Sequence, residues 1–421
     1  MAGRAQTAKN LLLDTSAPYG VEVSATDLPG TGCQTGTDRV DQHKEVVVRL
    51  GDPDGRPQKV TEKVLLGRIL PHLPQGTGTL IGPGDDAAWL ALPSKRALVC
   101  VDVLVEGVHF KTEWSSGADV GWRVAMANLA DIAAMGGQGT ALVVAVTAPG
   151  DTDPAWFEDL AVGLGEACGP LGVGVVGGDL SSGPALSVAA TALGEAVTGK
   201  AVRRDGAQVG DVVGLAGATG WSAAGLACLT AGLVTPRPSG MGDPVAGPLD
   251  GSAPTWALDQ ANEQPKNRVV GSLTDESASM LFEVIDQAVR AYRRPHPPLA
   301  AGPAAAQAEA SAMIDVSDGL LMDAGRIAQA SGVDLVLDTG AAALAGPARA
   351  LTELAAQLGT NALDWVLTGG EDHALLATFP AGGDLPEGWS GIGHCLPGQG
   401  QARLLGGGHQ PVHPGWDHFA E

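Results

Sequence analysis

Aspartates stand in apolar or glycine-rich surroundings at three places in the first third of the chain. They are Asp85 and Asp86 in I-G-P-G-D-D-A-A, Asp102 in V-C-V-D-V-L-V, and Asp131 in N-L-A-D-I-A-A-M-G-G. Two ionised carboxylates about 4 Å apart repel by roughly 4 kcal/mol at an effective dielectric of about 20. If the fold brings these residues together, bound divalent cations are the natural compensation for this repulsion and for the lost water.

Three further aspartates share this setting. Asp179 follows two glycines, and Asp315 and Asp318 lie in I-D-V-S-D-G-L. One aspartate beside a glycine is most simply a turn residue, but six at the ends of apolar segments or at glycine-rich junctions indicate a site for several Mg²⁺ ions. Mg²⁺ prefers carboxylates, water and phosphate oxygens, and no His or Cys cluster accompanies the set. The predicted metal ligands are Asp86, Asp102, Asp131, Asp179, Asp315 and Asp318.

Three other side chains are candidates for binding a ligand, each with a simpler alternative. His109 follows the segment that carries Asp102 and is either an ordinary half-buried histidine or a ligand-binding one. Arg204 is either a solvated arginine or, in a chain with few basic residues, a phosphate-binding one. Trp416 either packs against the fold or stacks on a flat ring.

The elements around the first aspartates follow from local patterns. Residues 97–105 predict a buried strand that carries Asp102. A helix is predicted over residues 118–135, between a serine cap and a Gly-Gly end. Asn128 and Asp131 share one face of this helix, and Asp131 lies near its C-terminus, where the helix dipole disfavours a carboxylate. A carboxylate in this position needs a partner.

The rest of the pattern predicts two domains after an extension. Residues 1–60 lack sustained periodicity and predict a flexible extension. An N-terminal α/β domain is predicted over residues 61–200, and a C-terminal α+β domain over residues 201–421 with a Pro/Gly-rich insertion at residues 236–272. Further predicted elements are strands at residues 140–147, 173–176, 186–193 and 212–215, helices at 61–70, 154–168 and 222–231, and a strand that breaks into a helix over 313–330.

Composition and charge limit the class of protein. The chain has 421 residues, of which 44% are hydrophobic, 4% aromatic and 61 glycine, so two domains packed by small aliphatic side chains are expected. The net charge of −22 argues against binding to nucleic acids and to anionic membranes. Five scattered cysteines without a C-x-x-C pair, and the absence of a membrane-span or signal-peptide pattern, predict a cytoplasmic protein with reduced thiols.

These segments together resemble the thiamine-monophosphate kinases, whose superfamily also contains aminoimidazole ribonucleotide synthetase, selenophosphate synthetase and an ATP-using hydrogenase-maturation protein. The likeness runs in order from about Thr61 to the end, apart from residues 236–272. The segments V-E-G-V-H-F, N-L-A-D-I-A-A-M-G and G-G-E-D are the most specific to these kinases. The resemblance implies an aminoimidazole-ribonucleotide-synthetase-like fold: an α/β N-terminal domain whose strands form a dimer barrel, an α+β C-terminal domain, and ATP in the cleft between them.

The resemblance also implies an activity and roles for residues. A homodimer would transfer the γ-phosphoryl group of ATP to thiamine monophosphate, giving thiamine diphosphate and ADP, and the six aspartates would hold Mg²⁺ ions. The residues that would contact ATP are Gly178, Asp179, Arg204 and Ser317, and those that would contact thiamine monophosphate are His109, Glu371 and Trp416, with Trp416 against its rings. The family often has Thr before the Asp102 position and Tyr after G-G-E-D. Val101 and His373 stand there in this chain, so a metal contact through the Thr side chain is lost and the pocket wall is expected to differ.

The residue inventory fits phosphoryl transfer to a phosphate. A phosphate monoester is already largely an anion at neutral pH, so it needs no strong general base. The remaining work is to position two anionic reactants and to neutralise their charge. We therefore expect no catalytic nucleophile or base in this protein.

Other functions remain open at this stage. A selenophosphate synthetase would need a reactive Cys in an N-terminal glycine-rich loop with a Lys, and Cys33 has no such Lys. A hydrogenase-maturation protein would need a C-terminal Cys, where Glu421 stands. An aminoimidazole ribonucleotide synthetase would act on a formyl-amidine substrate. A non-catalytic nucleotide-binding module is the alternative from another class, and the near-complete aspartate set argues against it.

Overall fold

The computed structural model describes residues 62–83, 87–233, 275–407, 411 and 413–416. The predicted extension, the predicted insertion, and both Asp85 and Asp86 lie outside the described residues. Lys59–Glu421 form one compact unit. The predicted boundaries of the two domains remain predictions.

The described elements alternate between helices and strands along the chain. The helices are α1 (Glu62–Ile69), α2 (Gly117–Ala134), α3 (Pro154–Cys168), α4 (Trp221–Thr230), α5 (Asp275–Arg293), α6 (Ala301–Gln307), α7 (Leu320–Ser331), α8 (Ala342–Ala350), α9 (Thr352–Gln357) and α10 (Ala362–Thr368). The strands are β1 (Thr79–Ile81), β2 (Trp89–Leu90), β3 (Leu98–Val105), β4 (Gly137–Ala148), β5 (Gly174–Ser182), β6 (Ser187–Ala196), β7 (Val212–Ala216), β8 (Ala312–Val316), β9 (Asp334–Leu337), β10 (Ala374–Phe379), β11 (Trp389–Leu396) and β12 (Ala402–Leu404). None of the described helices is both long and apolar enough to cross a membrane.

A four-stranded sheet in the order β3-β6-β4-β5 is covered by helices on one face. Strands β4 and β5 are parallel, and the other neighbouring strands are antiparallel. Helix α2 packs on the sheet, and α3 packs on α2. Because alternate residues of a strand point to opposite faces, one side of the sheet contributes to the apolar core. Large members of this core are Phe110, Val124, Leu142, Leu164 and Val188.

The opposite face of this sheet has no cover among the described residues. On β3 the side chains of Val99, Val101 and Val103 are 61%, 61% and 46% exposed, and Val143 on β4 is 38% exposed. These four valines, which we call the valine face, form an apolar surface on neighbouring parts of one sheet. An exposed apolar surface of this kind is typical of an interaction surface.

A six-stranded sheet in the order β12-β9-β11-β7-β10-β8 forms the second layer. Its neighbouring strands are antiparallel except β12 and β9, which are parallel. Helices α7, α8 and α10 pack against it around a second core. Helices α4 and α5 pack on each other in a further apolar cluster. Strand β8, at one edge of this sheet, contacts α2 and so brings the two sheets together.

Most predicted elements near the aspartates are confirmed within a few residues. The predicted strand at residues 97–105 is β3, and the predicted helix at residues 118–135 is α2. The prediction that this strand is buried is wrong, because only one face of β3 is covered and Val99, Val101 and Val103 are exposed. Ser116 caps α2 in a capping box: its hydroxyl accepts the amide of Asp119, whose carboxylate accepts the amide of Ser116. The prediction that G-G-D follows a short strand is wrong, because Gly177, Gly178 and Asp179 lie inside β5.

Candidate active site

Three of the predicted metal ligands lie together where β3, α2 and β8 meet. Asp102 is on β3, Asp131 on α2 and Asp315 on β8. Burial and then the nearby carboxylates of Asp315 and Asp102 raise the pKa of Asp131 to about 7. A cavity of about 260 Å³ is lined by Asp131 and Asp315 together with Cys100 and Arg204. The structure therefore brings together, in a half-buried cleft, three carboxylates from one strand of each sheet and from helix α2.

Asn128 fixes the position of Asp102 relative to α2. The Oδ1 atom of Asn128 accepts the backbone amide of Asp102 at 3.2 Å, while its Nδ2 atom donates to the carbonyl of Val124 at 2.8 Å. The thiol of Cys100 donates to the carbonyl of Asn128 at 3.3 Å. Burial raises the pKa of Asp102, and so do the neighbouring carboxylates of Asp315, Glu371 and Asp318, while His373 lowers it. Asn128 thus ties the strand of one carboxylate to the helix of the next.

The turn between β8 and α7 carries Ser317 and Asp318, and it directly follows the end of β8, where Asp315 lies. Its sharp reversal needs Gly319, whose φ of +119° is in a region that favours glycine and whose hypothetical Cβ would lie 2.6 Å from the carbonyl oxygen of Thr368. Burial acts to raise the pKa of Asp315, but His373, the Ser317 hydroxyl and Arg204 together hold this pKa below its ordinary value. The Asp315 carboxylate is therefore ionised in the cleft at neutral pH.

Backbone hydrogen bonds bring two predicted substrate-binding residues to this turn. The amide of Glu371 donates to the carbonyl of Ser317 at 2.9 Å, and the amide of Trp416 donates to the carbonyl of Asp318 at 2.8 Å. The Asp318 carboxylate pairs with Arg326 at 2.6 Å. Trp416 is 57% exposed.

Glu371 is held by an arginine of α2. Nε and a terminal guanidinium nitrogen of Arg123 donate to Oε2 of Glu371 at 3.0 and 2.6 Å, and the guanidinium lies 4.6 Å from the centroid of the Tyr292 ring. Burial acts to raise the pKa of Glu371, but Arg123, His373 and His109 lower it. The Tyr292 hydroxyl donates to the carbonyl of His109 at 3.3 Å, and Nδ1 of His109 accepts the amide of Val105 at 3.0 Å. A neutral His109 therefore carries its proton on Nε2.

His373 lies between the two groups of carboxylates. Its Nδ1 atom is 3.6 Å from Oδ2 of Asp315, and its Nε2 atom is 4.0 Å from Oε2 of Glu371. The side chain is buried, and the backbone φ of +53° is in the left-handed region. Burial acts to lower the pKa of His373, but Asp315 and Glu371 raise it above its ordinary value.

Gly178 and Asp179 lie on the far edge strand of the four-stranded sheet. Asp102, Ala190, Val144 and Gly178 are paired in register across its four strands, so Gly178 is roughly 14 Å from Asp102 at the usual strand spacing. A Cβ at Gly178 would lie 1.9 Å from the carbonyl oxygen of Val144, which explains glycine there. The Asp179 carboxylate accepts the hydroxyl of Ser181 at 2.7 Å. The described contacts do not join Asp179 to the other carboxylates, and its role as a ligand stays a prediction.

The carboxylates alone do not enclose an ion. Among the described residues, no group of three or more His, Cys, Asp and Glu side chains forms a ready-made metal site. This arrangement suits Mg²⁺, which protein sites usually hold through one or two carboxylates while water and substrate phosphates supply the remaining oxygens. The donor set of Asp102, Asp131 and Asp315 contains oxygen only and fits that ion.

Three residues of the site were not predicted from sequence as site residues. Cys100 lines the cavity, Arg123 holds Glu371, and Tyr292 stacks under Arg123. Arg123 gave the clearest signal, because an arginine in the otherwise apolar first half of a helix needs a buried partner. Cys100 and Tyr292 gave no such signal, since both are common in ordinary cores.

Comparisons with known proteins show which family the chain is similar to. Residues 84–196 match the model of the N-terminal domain of AIR synthase related proteins. The thiamine-monophosphate kinase of Mycobacterium tuberculosis (strain H37Rv) is 38% identical over 365 residues, which cover 86% of this chain and 93% of that protein. The chain belongs to the thiamine-monophosphate kinase family. The predicted resemblance is thereby confirmed.

Solved members of the kinase family share the fold. The thiamine-monophosphate kinase from Stenotrophomonas maltophilia K279a superposes with a TM-score of 0.60 at 29% identity, over 82% of this chain and 95% of that one. AaThiL, solved in complex with AMPPCP and TMP, superposes with a TM-score of 0.59 at 26% identity, over 80% of this chain and 91% of that one. The predicted aminoimidazole-ribonucleotide-synthetase-like class of α/β and α+β layers is confirmed.

Proposed function

We propose that the protein transfers the γ-phosphoryl group of ATP to thiamine monophosphate, giving thiamine diphosphate and ADP. The observation that carries this proposal is the meeting of Asp102, Asp131 and Asp315 beside the anchored carboxylate of Glu371. Membership of the kinase family supports the reaction class. AMPPCP is an ATP analogue, and its complex with TMP in a family member supports the choice of both substrates.

The reaction forms one P–O bond and breaks another. An oxygen of the thiamine monophosphate phosphate attacks the γ-phosphorus of ATP in line with the leaving group. The bond from that phosphorus to the β–γ bridging oxygen breaks, and ADP leaves with the electron pair. The second pKa of a phosphate monoester is about 6, so the attacking oxygen is already deprotonated at neutral pH. No residue of the chain needs to act as nucleophile or base.

Mg²⁺ bound by the aspartates would neutralise the phosphate charges of both reactants. Asp102, Asp131 and Asp315 are proposed to hold it, with Asp318 beside them. The proposed set also includes Asp86, outside the described residues, and Asp179 on β5. The chain's own contribution is to keep its carboxylates in position around the cleft, as Asn128 does through the backbone amide of Asp102.

The remaining polar residues are proposed to bind the organic substrates. Arg204 lines the cavity next to Asp315, and this position supports a role in binding the phosphates of ATP. Gly178, Asp179 and Ser317 are proposed to bind ATP together with it. On the other side, His109 and Glu371 are proposed to bind thiamine monophosphate. Trp416 is hydrogen-bonded to the turn that carries Asp318, and its exposed ring is suited to stack on the thiamine rings.

The valine face supports the proposal that the enzyme is a homodimer. Two copies that pair through Val99, Val101, Val103 and Val143 would bury an apolar surface that a monomer leaves in water. A closed symmetric pair is the commonest way for identical chains to bury such a face. Two four-stranded sheets packed in this way would form the expected barrel.

A substrate test separates this function from its alternatives. The purified chain is incubated with ATP and Mg²⁺ and, in separate reactions, with thiamine, thiamine monophosphate or formylglycinamidine ribonucleotide. We expect ADP and thiamine diphosphate in equal amounts, and only with thiamine monophosphate. Consumption of formylglycinamidine ribonucleotide would instead support a synthetase, and ATP binding without turnover would support a non-catalytic module. Replacing a proposed metal ligand, as in Asp131→Asn, is expected to lower the rate of this reaction. Asp384→Asn, at an exposed position outside the cleft, is the control for that variant.

A further inference from the structure

We propose that His373 is a positioning residue that couples the metal-binding carboxylate Asp315 to the substrate-binding carboxylate Glu371. This inference rests on the proposed function, because it assigns Asp315 to the Mg²⁺–ATP side and Glu371 to the thiamine monophosphate side. It predicts that occupation of one side strengthens binding at the other, and that this coupling passes through one imidazole.

The position of the ring supports this role. Its two nitrogens are directed to different carboxylates, with Nδ1 3.6 Å from Asp315 and Nε2 4.0 Å from Glu371. Both distances are too long for hydrogen bonds, and neither nitrogen has a hydrogen-bond partner in the described part of the chain. A side chain that is only 5% exposed then leaves two polar atoms unsatisfied. Such atoms are costly to bury, so closure of the site onto its ligands is the arrangement that would satisfy them.

The backbone around the ring is held in an uncommon conformation. Both Glu371 and His373 have positive φ values, +68° and +53°, although neither is glycine. Left-handed conformations of such residues persist only when the surroundings enforce them, and they concentrate at functional sites. Here the enforcing contacts are the bond from the Glu371 amide to the Ser317 carbonyl and the ion pair of Glu371 with Arg123. The strained segment therefore places the His373 ring between the two carboxylates.

Each carboxylate has a separate side-chain anchor, and the His373 ring is the side chain that lies within 4.0 Å of both. Glu371 is fixed by Arg123 from α2, whereas Asp315 lies next to Asp131 and lines the same cavity as Arg204. A shift of Asp315 toward a bound cation changes its distance to Nδ1 of His373. The ring can follow by turning, and its other nitrogen then changes position relative to Glu371. A leucine in this place cannot transmit the shift, because it has no donor.

The test measures the coupling directly. Binding of thiamine monophosphate is measured by calorimetry on the full chain, with and without Mg²⁺–AMPPCP, which cannot transfer its terminal phosphoryl group. In the unmodified protein we expect the analogue to tighten this binding by roughly 5-fold or more, the usual size of coupling between two sites. His373→Leu is expected to reduce the ratio of the dissociation constants of thiamine monophosphate, without and with the analogue, to about 1. His373→Gln, which keeps a donor, is expected to retain part of this ratio. His394→Leu, at an exposed histidine on β11, is the matched control.

The possible outcomes separate this inference from the proposed function. If the unmodified protein forms thiamine diphosphate but shows no coupling, or if His373→Leu keeps the full ratio, the inference is wrong while the function stands. If the unmodified protein forms no thiamine diphosphate, the function itself fails. A thermal melt of each variant accompanies the binding data. If His373→Leu does not fold, the comparison of His373→Gln with the unmodified protein decides, and an unchanged ratio there overturns the proposal.

Discussion

Arg123 on α2 holds the carboxylate of Glu371 through two hydrogen bonds of 3.0 and 2.6 Å, although the two residues are 248 positions apart in the chain. Arg123 is only 3% exposed, so the carboxylate of Glu371 is needed to offset the cost of burying its charge. The pair joins the helix that carries Asp131 to the G-G-E-D loop that carries His373. The proposed metal side and the proposed substrate side of the cleft are thus joined through one helix.

Replacing Arg123 by methionine should destabilise the protein. The change leaves Glu371 without its partner, and breaking a buried ion pair costs about 3–5 kcal/mol. Glu371 is 35% exposed, so water compensates in part and we expect a loss of about 2 kcal/mol in the free energy of unfolding. Urea unfolding measures the loss. Arg68→Met, which removes an exposed pair with Glu158, should change it by less than about 1 kcal/mol.

Asp131→Asn should separate activity from stability. The substitution removes a charge that Asp315 and Asp102 oppose, so the free energy of unfolding should not fall. The Mg²⁺ concentration for half-maximal activity should rise by roughly ten-fold or more, the effect commonly seen when groups at a metal site are altered. Full activity at low Mg²⁺ in this variant would contradict the assignment. Initial rates over a Mg²⁺ titration, beside a thermal melt, give both quantities.

Asp372 caps the N-terminus of α4 from a distant loop. Its carboxylate accepts the amides of Gly220 at 2.6 Å and Ser222 at 2.8 Å. Asp372→Ala removes both acceptors and should reduce the free energy of unfolding by about 1–2 kcal/mol. Asp372→Asn keeps one acceptor and should lose less. Chemical unfolding of the two variants at one pH measures the difference, and equal losses would show that the cap is not the cause.

The same carboxylate gives a prediction for the pH dependence of stability. Burial raises the pKa of Asp372 to about 7, although the two amides act against this rise. Because an unfolded aspartate titrates near about 3.9, the folded state binds the proton more tightly between these values. This contribution to stability is therefore fully present below about pH 4 and is lost as the pH rises toward 7. The free energy of unfolding of the unmodified protein and of Asp372→Asn is measured at pH 5 and pH 8. We expect the difference, unmodified protein minus variant, to be smaller at pH 8 than at pH 5.

A charge on the valine face should dissociate the proposed homodimer. Val103→Glu would place a carboxylate in an apolar interface, where it has no partner. We expect light scattering to give the dimer mass for the unmodified protein and the monomer mass for the variant. Val209→Glu, at an exposed valine outside the sheets, should remain dimeric. A monomer mass for the unmodified protein at micromolar concentration would contradict the proposed interface.

Local patterns were sufficient for the elements that position the site. Ser116 and the Gly-Gly end fixed α2 within a residue or so, because caps depend on neighbours in the chain. Pro154 did the same for the start of α3. The G-G-D segment was predicted wrongly as a junction, because its two glycines read as a turn. Inside the sheet, Gly178 is required by the close approach of Val144, and no local pattern contains that information.

The sequence by itself determined the residue types, the helices and strands that carry them, and the kinase family. These depend on contacts within a few residues, or on segments whose order and spacing are visible in the chain. Only the tertiary structure decided which carboxylates meet: Asp102, Asp131 and Asp315 share a cleft, while Asp179 lies across the sheet. It also decided that His373 lies between Asp315 and Glu371. The reason is that Asp102 and Asp131 reach Asp315 only through the packing of the edge strand of one sheet against the helix of the other, between segments more than 100 residues apart.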